Sequence, residues 1–89
     1  MREIWKYRLH MTDDQEVLLP MHAQPLHVGY QRNALCVWVL VHPENPVVLF
    51  DVHIAGTGYP VPDEWNPQEY VGTVVGEVLV WHVFMRRRA

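Results

Sequence analysis

Hydrophobic and polar positions alternate with a period of two along most of the chain, the repeat of a strand with one buried face. From Glu3 to Leu9, Trp5, Tyr7 and Leu9 fall on one side, with Lys6 and Arg8 on the other. A polar turn at Thr12-Asp13-Asp14 leads to a short strand from Glu16 to Leu19, stopped by Pro20. Pro25 to Gln31 alternates again, with Leu26, Val28 and Tyr30 opposite His27, Gly29 and Gln31. Arg32-Asn33 has the form of a tight hairpin connection, since Asn tolerates positive φ. Ala34 to Val41 is apolar on both faces, and Val47 to Ile54 places Val48, Phe50, Val52 and Ile54 on a core side with Asp51 and His53 outward. Two further strands, Tyr70 to Val75 and Val78 to Met85, flank a turn at Gly76-Glu77, and the second is apolar on both faces except at His82.

Between them, Gly56-Thr57-Gly58 breaks the chain, and Tyr59 to Trp65 is an irregular segment fixed by Pro60 and Pro62. Asn66 and Pro67 suit the N-cap and first position of a single helical turn. Six or seven short strands separated by turns predict an all-β antiparallel sandwich or small barrel with at most one helical turn. Residues 1–85 form one domain on this reading, and 86–89 a frayed basic tail. Trp5, Val28, Trp38, Phe50, Ile54 and Trp81 are expected in the core or at a subunit contact. The strands around Trp38 and Trp81 have a second apolar face that a two-layer fold leaves uncovered. A homo-oligomer covers it; a closed barrel with a lightly covered exterior is the other solution.

Composition narrows the partners. Ten acids against seven Lys and Arg give a net charge of −3, which makes a nucleic acid an unexpected partner. Arg86-Arg87-Arg88 is expected to be a solubilising tail. The lone Cys36 admits no internal disulfide. With neither a signal-peptide pattern nor an apolar run of about 18 residues, a soluble protein in the cytoplasm without membrane contact is expected.

The chemistry visible in the sequence is sparse. Gly56-Thr57-Gly58 is the best candidate for an anion cradle, because glycines let backbone N–H groups converge and a Thr hydroxyl adds a donor. Tyr59 or Trp65 is placed to stack on a base, Tyr70, Gly72 and Thr73 to line the same region, and Arg8 or Arg32 to supply charge. The turn lacks the lysine and helix of a nucleotide-hydrolysing loop. Six histidines include no pair at zinc spacing; Asp51 and His53 share a strand face and supply two thirds of a site. Cys36 lies in the most apolar strand, where a thiol behaves as a small hydrophobe. Asp63-Glu64 has the character of a solvated charge pair. No catalytic residue, metal or cofactor is expected.

Ile4-Trp5-Lys6-Tyr7, Leu35-Cys36-Val37-Trp38-Val39-Leu40-Val41 with Pro43, Gly56-Thr57-Gly58-Tyr59-Pro60, Tyr70-Val71-Gly72-Thr73 and Val80-Trp81-His82-Val83-Phe84 follow one another along the chain. This arrangement resembles a family of small proteins encoded by bacteriophages and prophages. His42 stands where that family has an acid, and Tyr59 where it has a histidine. The resemblance implies an accessory protein acting on the host, with counter-defence a common task. The expected function is therefore a non-catalytic binding protein that holds a small anionic, nucleotide-like ligand in a homo-oligomer. A module that binds and occludes a host protein is the alternative.

Overall fold

The computed structural model of the chain describes residues 1–88. It is all-β: β1 (Glu3–Arg8), β2 (Asp14–Pro20), β3 (Gln24–Gln31), β4 (Ala34–Val41), β5 (Val47–Gly56), β6 (Tyr70–Val75) and β7 (Val80–Arg87), with one 3-10 turn at Pro67–Glu69. All pairings are antiparallel. One sheet has the order β1-β4-β3 and the other β2-β5-β7-β6. The two face each other as a sandwich over a core that includes Val28, Leu35, Val37, Val39, Val41, Phe50, Val52, Ile54, Val74, Val83 and Met85.

Local chemistry explains most of the connections. Arg32 and Asn33 both have positive φ, 51° and 63°, as a two-residue type I′ hairpin demands. Pro67 opens the 3-10 turn, the Asn66 N–H donates to Glu69 Oε1 at 2.7 Å, and the Glu69 N–H donates to the Asn66 carbonyl at 2.8 Å.

Several expectations are corrected. Pro20 is itself the last residue of β2, opposite Val47. A bulge between Pro25 and His27 makes Leu26 the extra residue of β3, which leaves it exposed while Val28 stays buried. The β6–β7 turn is wider than Gly76-Glu77. The strand starts at Val80, and Val78 and Leu79 are exposed. The basic segment is not frayed. Arg86 and Arg87 continue β7 opposite Asp51 and Phe50, the Arg88 N–H donates to the Leu49 carbonyl at 3.0 Å, and the Arg88 guanidinium sits between Asp51 and Glu16. Those hydrogen bonds raise its pKa above the ordinary guanidinium range. Ala89 lies outside the described residues.

Among the expected core residues, Val28, Phe50 and Ile54 are buried. Trp5 and Trp81 are partly buried against the core, and Trp38 is half-buried on the outer face of the three-stranded sheet.

The sheets meet where β3 approaches β6. Gly72 makes this possible: a Cβ there would stand 3.0 Å from Val28 Cγ2. Its neighbourhood is irregular as well, with a register shift between Tyr70 and Gly72.

Candidate functional site

β5 ends at Gly56, and Thr57-Gly58 turn the chain away from the sheet. The Tyr59 N–H donates to the Gly56 carbonyl at 3.0 Å, and Gly58 has φ +88°. Positive φ at the third residue marks a type II turn, which favours glycine there. A Cβ on Gly58 would meet nothing within 4 Å, so only the backbone imposes the residue. Gly56 is required for a different reason. A Cβ there would lie 3.1 Å from Tyr59 Cδ2 and 3.5 Å from Trp81 Cζ3. Tyr59 and Trp81 therefore converge over a bare backbone.

This aromatic pair borders a cavity of about 610 Å³ at one end of the sandwich, lined also by Asp13, Thr57, Leu79 and Val80. A second hollow of about 530 Å³ shares Leu79 and Trp81 with it and is lined by Arg8, Tyr30 and Asn33. Volumes of this size suit a small organic ligand. The β3–β4 and β6–β7 turns and the chain ends of β1 and β5 all contribute to these walls, so a rigid sandwich positions four loop segments around one region.

The turn is not the anion cradle expected of it. The Thr57 N–H is used by the Val80 carbonyl at 3.2 Å, and that of Tyr59 by Gly56, so two of the amides that would have converged on a phosphate are spent. The Thr57 hydroxyl is engaged too. It lies 2.7 Å from His82 Nε2, while His82 Nδ1 is 3.0 Å from Thr73 Oγ1, which in turn contacts the Tyr70 hydroxyl. Whichever ring nitrogen of neutral His82 carries the proton, one hydroxyl donates to the ring and another accepts from it. His82 thus ties together Thr57, Tyr70 and Thr73, three residues predicted for the site. The sequence does carry a signal for it, as the single polar interruption in an apolar strand.

Trp65 is corrected outright. It is 7% exposed and covers the outer face of the four-stranded sheet, with ring centroids 5.9 Å from His53 and 6.1 Å from Phe84. It has no free face for a base. Arg8 reaches the second hollow, and Arg32 sits in the β3–β4 turn beside Asn33, which lines that hollow. His53 and Asp51, which share an outward face, are claimed by different partners. His53 Nδ1 donates to Asp14 Oδ1 at 2.8 Å, and Asp51 binds Arg88. His53 is buried under Trp65 although its side chain leaves the core side.

A family model described as "Domain of unknown function (DUF7352)" matches residues 1–89. Neither a curated protein nor a solved structure matches the chain.

Proposed function

The chain belongs to the DUF7352 family, a membership that assigns no chemistry, and we propose from the site itself that it is a small-ligand-binding protein. The observation that carries the proposal is the convergence of Tyr59 and Trp81 over Gly56 at the mouth of the 610 Å³ cavity. A flat ring stacks on this pair. Asp13 offers an acceptor to the ligand's N–H or hydroxyl groups, and Arg8 in the adjoining hollow takes its anionic part. These demands together describe a nucleotide-like molecule. The phosphate-binding role moves from the amides of the turn to Arg8, since a guanidinium binds phosphate well without help from the backbone. No turnover is assigned. Sequestering a nucleotide signal inside a host cell is the role that the bacteriophage resemblance adds.

Calorimetry against cyclic dinucleotides and ADP-ribose derivatives tests this. Binding is expected, weakened about tenfold in Tyr59→Ala through loss of a stacking face. A folded protein that gives no heat across the panel overturns it.

The second reading, a module that occludes a host protein or assembles with its own copies, is favoured by one observation. Val75, Val78 and Leu79 are 74%, 89% and 55% exposed around the β6–β7 turn, an apolar tip whose Val78 and Leu79 also line the cavity. Light scattering separates the two. A complex or oligomer that Val75→Asp dissolves while ligand binding persists supports the second, since Val75 does not line the cavity.

A further inference from the structure

The outer face of the three-stranded sheet carries charge of one sign around an indole. The register sets Lys6, Trp38 and His27 side by side in one row. Arg8, Cys36 and Gly29 form the next row, and Ile4, Leu40 and Gln24 lie on the other side of Trp38. Cross-strand partners project to the same face. Glu3 is the only acid in β1, β3 and β4; it belongs to the alternate that faces the other way, where its Oε1 accepts from Trp5 Nε1 at 2.8 Å. Among the described residues neither Lys6 nor Arg8 enters an ion pair, and the Lys6 ammonium donates only to Gln31 Oε1.

The opposite surface of the sandwich is the reverse. Asp14, Glu16 and Asp51 lie on the outer face of the four-stranded sheet, with Glu64 and Glu69 beside it, and Arg86 and Arg88 there are matched by acids. The net charge of −3 is therefore an average over one acidic side and one acid-free basic side, and it hides the second.

We propose that this basic face binds single-stranded nucleic acid, with a base stacked on Trp38 and successive phosphates at Lys6 and Arg8. Trp38 is partly exposed, with His27 beside it at a centroid separation of 5.9 Å. A Cβ on Gly29 would lie 3.3 Å from His27 Nε2 and in ordinary contact, 3.9 Å, with Trp38 Cζ3, so the bare backbone there leaves room for the His27 ring beside the indole. Lys6 and Arg8 are two residues apart on an edge strand, about 7 Å, which suits consecutive phosphates of an extended strand. A platform of one aromatic ring flanked by cations accepts any base and favours no sequence. A second copy of the chain is a poor occupant. A two-fold contact through this face would press it against its own copy, with no acid on it to pair with Lys6 or Arg8.

The test is fluorescence anisotropy of the full chain with labelled oligothymidylate and oligouridylate of about a dozen nucleotides, a length within the range that a single small β domain covers, at low salt. Binding is expected, with log K falling against log salt at a slope of about −1.4 to −2.1, the value for two or three phosphates on a single strand. Trp38→Ala is expected to weaken it about tenfold, Trp38→Phe to retain most of it, and the exposed double variant Lys6→Glu, Arg8→Glu to abolish it. That double variant decides the matter if Trp38→Ala fails to fold. Tyr59→Ala is expected to bind the oligonucleotides as the parent does, which separates the Trp38 platform from the aromatic pair of the cavity, Arg8 bordering both. Absence of binding by folded protein at low salt overturns the proposal. So does binding that survives both the Trp38→Ala and the charge-reversal variants, or equal competition by polyglutamate. A dimer that shields Trp38 from iodide quenching assigns the face to self-contact and also overturns it.

Discussion

Arg86 holds its guanidinium carbon 4.0 Å from the centre of the Trp65 ring. The same side chain donates to the Glu64 carbonyl at 2.8 Å and lies 3.6 Å from the Glu69 carboxylate. One residue of β7 thus fastens the irregular segment after the Gly-Thr-Gly turn at two points and the 3-10 turn at a third, and the indole beneath it seals His53 and Phe84. Trp65→Ala is expected to destabilise the fold by about 3 kcal/mol, the cost of truncating a buried tryptophan. Arg86→Ala is expected to cost about 1 kcal/mol. Urea unfolding measures both; a midpoint unchanged in Trp65→Ala would show that the segment is not fastened.

Gly72 and Val28 make a sharper test, because they touch where β3 of one sheet approaches β6 of the other. Gly72→Ala is expected to destabilise by about 1–3 kcal/mol through overpacking against Val28 Cγ2. Val28→Ala costs stability by itself, since Val28 is buried. In the double variant the new methyl enters the space vacated, so the two losses are expected to be less than additive. Additive losses would mean that the sheets do not meet at this point.

Gly56 and Gly58 are expected to fail differently. Gly58→Ala strains a residue at φ +88° with open space around it, at a cost of about 1 kcal/mol in stability. Gly56→Ala moves the exposed ring of Tyr59, leaving stability little changed and the aromatic pair displaced. Thermal unfolding beside ligand calorimetry separates the two effects. Equal loss of stability in both would contradict the assignment.

Burial raises the Tyr7 phenol above its ordinary value of 10.0. The folded state thus favours the neutral form. The associated stabilisation is complete below the unfolded value and is lost as pH rises through the raised one. Tyr7→Phe has no such proton to lose, so its stability is expected to fall less steeply than the parent's above pH 10. Denaturant titrations across that range check this, and parallel slopes would count against it.

The elements that were legible in the sequence are those set by short-range rules. β4 and β5 announce themselves by runs of Val and Leu, the Arg32-Asn33 hairpin by a residue that accepts positive φ, and the 3-10 turn by Asn66-Pro67. What was hidden depends on partners distant in the chain. Arg86 and Arg87 resemble a tail until Asp51 and Phe50 stand opposite them. Trp65, between prolines, looks exposed until β5 and β7 supply a floor of His53 and Phe84. Leu26 keeps the alternation on paper and loses it to a bulge. For the candidate site, turn chemistry points to Gly56, Thr57 and Tyr59, and the polar interruption of an apolar strand points to His82; Trp81 joins them only through strand pairing opposite Gly56, and His82 acquires its neighbours only opposite Ala55 and Thr73.

The close approach at Gly72 also fixes which borders of the molecule are free. β3 and β6 lie at the margins of their sheets and shelter one another, so the unsatisfied backbone along that side faces a neighbour within the same chain. Among the described residues β1 and β2 make no comparable approach to one another. The borders open to pairing with another chain are therefore Glu3–Arg8 and Asp14–Pro20, where Lys6 and Arg8 guard one and Glu16 and Pro20 the other.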